Sequence, residues 1–205
     1  MNQDPVIVPV GDRALLVEFG DSIDPDINKR VHDLTASIDT ADVPGVVELI
    51  PTYRSLLISY DPMTTTPDAL QTAVSDYLSP DPQIVARSPR IVHIPTLYGG
   101  EHGPDIDFVS QNSGLSNDVI VDIHSSVDYL VYGMGFSPGF PYLGGLDDRL
   151  ITPRLKSPRT HVAAGSVAIA ETQTGVYPVA SPGGWRLIGR TPIRLFDPDV
   201  NPPAV

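Results

Sequence analysis

Gly133-Met134-Gly135-Phe136-Ser137-Pro138-Gly139-Phe140-Pro141-Tyr142-Leu143-Gly144-Gly145 opens the region that decides the fold, and Ser181-Pro182-Gly183-Gly184-Trp185-Arg186-Leu187-Ile188-Gly189-Arg190-Thr191-Pro192 closes it. Gly and Pro at this density set unusual backbone angles and let main-chain N–H groups approach a ligand. The region therefore reads as site-building loops laid over short strands. Basic residues also gather here. Between Asp147 and Arg194 there are seven Lys or Arg against three acids, a local +4 in a chain of formal charge −12.

Working outward, the C-terminal part offers only short strands, at Val162–Ala170, Gly175–Val179, Arg186–Ile188 and Ile193–Phe196. They are separated by Gly, Pro and Ser, the pattern of a mostly-β barrel or sandwich. Upstream, Ile91–Leu97 and Asp128–Tyr132 read as strands. Between them, one helix begins near Pro104 and stops at Gly114, and a second is capped by Ser116 and reaches about His124. Residues 79–90 hold three prolines without periodicity, the composition of a linker.

The N-terminal part has clearer periods. Val6–Val10 and Ala14–Phe19 flank Gly11-Asp12-Arg13 as a hairpin. Asp24-Pro25 then caps a helix with Ile27, Val31, Leu34 and Ile38 at helical spacing. A second strand pair, Val46–Ile50 and Ser55–Tyr60, precedes a helix entered at Thr66-Pro67. The order ββαββα predicts one antiparallel sheet covered by two helices. The expected fold class is α+β, with domains at 1–80 and 91–205 joined by a linker at 81–90.

The acidic balance argues against nucleic acid or an anionic membrane as partner, since both require a broad basic face. The absence of Cys excludes disulfides and thiol chemistry and fits the cytoplasm. No signal peptide or membrane span is visible. No P-loop, dinucleotide fingerprint or nucleophile elbow is read. His93, Glu101, His102 and His124 lack the spacing of a metal site.

Several residues can carry chemistry. His124, at a helix end before the strand that delivers the Gly-rich loop, suits either general acid/base work or a capping role. Arg154, Arg159, Arg186 and Arg190 offer guanidinium forks for carboxylate or phosphate, set against ordinary surface pairing. Trp185 either stacks on a ligand or fills the core. Ser137 and Ser181 each precede Pro-Gly, where turn formation competes with a nucleophilic role.

These motifs resemble a known family. Gly135–Leu143, Pro153-Arg154, Pro158-Arg159, Ala164–Ala170, Gln173–Pro178 and Ser181–Pro192 are similar to the signature of allophanate hydrolase subunit 1. That family is also known as the B-type subunits of 5-oxoprolinase (PxpB), or KipI, and it corresponds to one half of a urea-carboxylase carboxyltransferase domain. The likeness extends to His93-Ile94-Pro95, Tyr98-Gly99-Gly100, Gly114-Leu115-Ser116, and His124 before Tyr129.

The resemblance implies a cyclophilin-like β-barrel after the α+β domain. It implies an enzyme subunit of heteromeric ATP-dependent 5-oxoprolinase, a hydrolase converting 5-oxoproline to glutamate. The implied partner is the second subunit of that system (allophanate hydrolase subunit 2, the C-type subunit of 5-oxoprolinase), and the implied ligands are a small anionic substrate and ATP with Mg as its counter-ion. A carboxyltransferase subunit and a non-catalytic histidine-kinase inhibitor are the alternatives, although no biotinyl-lysine motif is present.

On this reading His124 is catalytic. Ser137, Gly139, Arg154, Arg159, Ser181, Gly183, Gly184, Trp185, Arg186, Arg190 and Thr191 bind substrate or phosphate. Two departures stand out. Glu171 replaces a usual Gly, placing a charge beside the expected site. The chain also ends where relatives continue into a further strand, so a barrel edge is expected to be exposed unless a partner covers it.

Overall fold

The structure, a computed structural model, describes residues 4–78 and 90–200, so the expected linker lies, apart from Arg90, outside the described residues. The chain divides into two compact units, 1–89 and 90–205.

In the first unit, strands β1 (Val6–Val10) and β2 (Ala14–Glu18) form the hairpin, and Gly11 takes the positive φ of 64° that its turn requires. Helix α1 (Pro25–Ala41) starts where Asp24 Oδ1 accepts from the N–H groups of Asp26 and Ile27, at 2.8 and 3.1 Å. Strands β3 (Val46–Pro51) and β4 (Ser55–Tyr60) follow. Helix α2 (Pro67–Tyr77) is capped by Thr66 Oγ1, which accepts from Ala69 N.

The sheet order is β1-β2-β4-β3, antiparallel throughout. Alternate residues Leu15 and Val17 on β2, and Leu56, Ile58 and Tyr60 on β4, pack with Val31, Leu34 and Ile38 of α1 and Leu70 and Val74 of α2. Period two on the strands meets period 3.6 on the helices, which is why a single buried face serves both.

The second unit contains β5 (Leu97–Tyr98), α3 (Ile106–Ser113), α4 (Asn117–Ser125), β6 (Leu130–Met134), β7 (Pro141–Gly144), β8 (Arg159–Val162), β9 (Ser166–Ala170), β10 (Gln173–Val176), β11 (Ser181–Gly183) and β12 (Arg186–Arg190). Six strands form one antiparallel sheet in the order β5-β12-β9-β10-β7-β6, and β8 pairs separately with β11. The central β9 is buried along its whole length. Its Val167 and Ile169 pack with Ile106, Val109 and Ile120 of the helices. Its Ala168 and Ala170 point into an aromatic core of Phe140, Tyr177 and Trp185, which Val162 of β8 also joins.

Several expectations change. The sheet does not close among the described residues: β5 and β6 are its edges, so it is open rather than a hydrogen-bonded barrel. On β6, Leu130, Val131 and Met134 are exposed. Of the apolar run from Ile91, only Leu97 and Tyr98 find a strand partner, in Arg190 and Gly189. Helix α3 begins at Ile106 rather than Pro104. The expected strand from Val162 to Ala170 is two, β8 and β9, divided at Gly165, whose φ is 81°. Among the described residues Ile193–Phe196 forms no strand, only a bridge position at Phe196. Pro192 offers no N–H there, and Thr191 Oγ1 takes the Ile193 N–H at 3.2 Å.

Candidate functional site

The Arg-rich region is assembled around a residue that its sequence context does not single out, Asp105 at the start of α3. Its carboxylate does not cap the helix. Oδ1 accepts from Arg159 Nη2 at 2.8 Å, and Oδ2 accepts from the Leu187 N–H at 2.7 Å. Arg186 Nη1 lies 3.9 Å from the same Oδ1. Arg186 is held twice more, its guanidinium 3.5 Å from the Phe108 ring centroid and its Nε donating to the Pro153 carbonyl at 3.1 Å. One buried carboxylate thus ties β8, β12 and α3 together, and two guanidinium groups share it.

The Gly183-Gly184-Trp185 turn lies beside this clamp because β11 and β8 pair Gly183 with Arg159. Gly183 packs against the Tyr177 hydroxyl so closely that a Cβ there would collide with it. The Gly184 carbonyl accepts from Leu155 N at 2.8 Å. Trp185 is 6% exposed and meets Phe140 edge-on, with centroids 5.5 Å apart, so its ring is core. Arg154 lies over that ring, 5.8 Å from the centroid. The structure therefore gathers Arg154, Arg159, Gly183, Gly184, Trp185 and Arg186.

Arg190 and Thr191 lie at the other end of β12, about 13 Å away at the rise of a strand. Arg190 Nε donates to the Ala164 carbonyl at 3.0 Å. Both residues line an open groove of about 940 Å³, together with Leu97, Pro178, Phe196 and others. Gly139 backs onto its wall, close to Phe196 and Pro178.

The loop between β6 and β7 carries the other signature. Gly135-Phe136-Ser137-Pro138-Gly139 spells Gly-x-Ser-x-Gly, contrary to the reading that no nucleophile elbow is present. The setting nevertheless differs from an elbow: the loop joins two antiparallel strands rather than a strand to a helix. No hydrogen bond joins Ser137 to a histidine among the described residues. The Oγ atoms of Ser137 and Ser181 are both buried with no hydrogen-bond partner among the described residues. Phe136 holds a φ of 62° while 61% exposed, an unusual conformation for a bulky side chain.

His124 stands apart from the arginines, 6% exposed between α4 and the sheet. Nδ1 is 2.7 Å from Tyr98 Oη, and Nε2 is 2.8 Å from Thr174 Oγ1. Thr174 donates its only proton to the Ala168 carbonyl at 3.0 Å. Its oxygen therefore accepts from Nε2–H, and Nδ1 accepts from Tyr98, the assignment that satisfies every group. Burial lowers the imidazole pKa to about 4 and raises the Tyr98 hydroxyl to about 12. Both ring nitrogens of the neutral imidazole are engaged.

Glu171 has a φ of 52° and is exposed, its N–H donating to the Thr152 carbonyl at 2.8 Å. A left-handed backbone there is the physical reason for a glycine preference. No helix of the described residues is long and apolar enough to cross a membrane.

Comparison with known proteins agrees with this architecture. The family described as "Carboxyltransferase domain, subdomain C and D" matches residues 5–205. The chain is 41% identical to the B subunit of 5-oxoprolinase from Bacillus subtilis (strain 168) over 209 residues, 97% of this chain and 87% of that protein. It is also 41% identical to the B subunit of 5-oxoprolinase from Escherichia coli O157:H7 over 202 residues, 96% and 88% of the two chains. The crystal structure of TTHA0988 superposes with a TM-score of 0.85 at 35% identity, over 94% of this chain but 38% of that longer one. The chain belongs to the carboxyltransferase-domain family, subdomains C and D, that includes the 5-oxoprolinase B subunits.

Proposed function

We propose that this chain is a subunit of an ATP-dependent 5-oxoprolinase, converting 5-oxoproline to glutamate in the cytoplasm together with the second subunit of that system. The observation that carries this reading is the 41% identity to two 5-oxoprolinase B subunits over nearly the full length of each chain. The local chemistry suits it. A carboxylate substrate and a phosphate donor are both oxyanions, and the guanidinium groups gathered near Gly183-Gly184 are donors of the matching kind.

ATP would supply the phosphoryl group that activates the ring amide. In this chain the candidate donors for its phosphates or for the substrate carboxylate are Arg154, beside the Asp105 clamp, and, at a separate place, Arg190 at the groove. Ser137, Gly139, Ser181, Gly183, Gly184 and Thr191 remain proposed contacts, through loop backbone and hydroxyl groups. His124 is proposed as a positioning residue, because its two ring nitrogens are committed to Tyr98 and Thr174. The cyclophilin-like relation of the second unit is proposed on the packing of β8 over the aromatic face of the six-stranded sheet.

The test is a reconstitution of all components with 5-oxoproline and ATP. Glutamate formation coupled to ATP consumption is expected, and no 5-oxoproline-dependent consumption with every component present overturns the reading. A second reading, one half of a carboxyltransferase, is favoured by the family description; it predicts turnover only in the presence of a biotinylated partner.

A further inference from the structure

We propose that Arg154 is the residue through which this chain grips the oxyanion of its ligand, and that Arg159 and Arg186 serve as positioning residues. The identity of the ligand rests on the function proposed above; the assignment of the arginine rests on geometry.

The sequence presents the arginines of this region as equals, but the structure does not. Arg149 is bound in bidentate fashion by Asp147, at 2.8 and 2.7 Å. Arg194 pairs with Asp197 at 2.7 Å. Arg159 is spent on Asp105, and Arg186 on Pro153, Phe108 and the same carboxylate. Arg190 is tied through Nε to Ala164. Arg154 is exposed and, among the described residues, makes no hydrogen bond or ion pair; its one contact of note is with the face of Trp185. Lys156 is also exposed, but it has no comparable support.

Arg154 is also held in place from both sides. The carbonyl before it, of Pro153, accepts from Arg186 Nε, and the N–H after it, of Leu155, donates to the Gly184 carbonyl. Its backbone is thus pinned to the Gly184–Arg186 turn while its guanidinium stays open, an arrangement that lowers the ordering cost of binding. The neighbouring clamp supplies field as well as scaffold. One Asp105 carboxylate faces two guanidinium groups, which leaves a surplus positive charge next to Arg154. A guanidinium so placed takes a carboxylate or phosphate through two parallel N–H bonds.

The ligand class is a small oxyanion, which both the carboxylate of 5-oxoproline and the phosphates of ATP provide. Steady-state kinetics of the assembled enzyme with Arg154→Gln distinguishes the two sources. A KM raised about tenfold for 5-oxoproline assigns the carboxylate, and the same rise for ATP assigns a phosphate, with Arg154→Lys recovering part of the loss. KM values for both substrates within about twofold of the parent overturn the proposal.

A second readout does not depend on turnover. Trp185 is the only tryptophan and lies under Arg154, so its emission should respond when 5-oxoproline or ATP is titrated into the full chain. The response should disappear in Arg154→Gln. Reconstitution without turnover but with an Arg154-dependent fluorescence response would refute the enzymatic reading and leave this one standing. A response equal in parent and variant would refute the Arg154 assignment.

Discussion

Tyr98 donates its phenolic hydroxyl to Nδ1 of His124 across 2.7 Å, and with Thr174 on the other nitrogen it holds a neutral imidazole inside the second unit. An unfolded histidine titrates near its ordinary value of 6.5, whereas burial lowers this one to about 4. Between those values the unfolded chain binds a proton that the folded chain refuses, so this contribution to stability is complete above about pH 6.5 and is lost as the pH falls towards 4. The loss is of the order of 3 kcal/mol. Urea unfolding at about pH 7.5, 6 and 4.5 should show a steeper decline in the parent than in His124→Gln, the comparison cancelling the carboxylates common to both. If instead His124→Gln folds as well as the parent and removes a limb of the activity profile near neutral pH, His124 transfers protons rather than positions the sheet.

Asp105 is a second point of concentrated risk. Changing Asp105→Asn should cost about 2–4 kcal/mol, because Arg159 and Arg186 lose their shared counter-charge and the Leu187 N–H meets a weaker or mismatched partner. In a double-mutant cycle with Arg159→Gln the two losses should be less than additive. Full additivity in chemical denaturation would mean that the 2.8 Å pair contributes nothing of its own.

Glu171→Gly should stabilise the protein. Relief of a left-handed non-glycine conformation, offset by the greater freedom of glycine in the unfolded chain, leaves a net gain of about 0.5–1 kcal/mol. Thermal unfolding should move up by a few degrees. A lower melting temperature would show that the Glu171 side chain contributes more than its backbone costs.

Gly183→Ala should do the reverse. The added methyl runs into the Tyr177 hydroxyl, which accepts a hydrogen bond from the Trp185 backbone. Either the turn or the aromatic core must shift, at a cost of about 1–3 kcal/mol. The change should be visible as altered tryptophan emission together with a lower unfolding midpoint. Unchanged values of both would mean that the core yields without penalty.

The sequence speaks most plainly where the cause of structure is local. Asp24-Pro25 and Thr66-Pro67 start helices through groups two or three residues away, and alternation in β2 and β4 sorts one face from the other without reference to anything distant. Gly114 and Ser116 are legible for the same reason. The second unit is less so, because its strands are defined by partners rather than by their own residues. Ile91–Thr96 is as apolar as a strand yet pairs with no strand among the described residues, while Ser181–Gly183 looks like a turn and pairs with β8.

Asp105 is the clearest case of a site residue hidden from local reading. Its partners lie 54 and 82 positions away in the chain, and beside Pro104 it resembles any acid at the head of a helix. The charge pattern points to a stretch of arginines between Asp147 and Arg194. Only the fold could separate the engaged arginines from Arg154.

The open edge of the six-stranded sheet has a consequence at the bench. Among the described residues, strand β6 pairs on one side only, with β7, and its Leu130, Val131 and Met134 are exposed. Two copies can meet along such an edge, and the main force keeping them apart is the mutual repulsion of chains carrying −12 each. Salt screens that repulsion over about 8–10 Å at ordinary ionic strength while leaving the apolar rim as sticky as before. A chain produced alone should therefore stay in solution in dilute buffer and come out of it as salt is added, the opposite of the usual advice for keeping an acidic protein soluble.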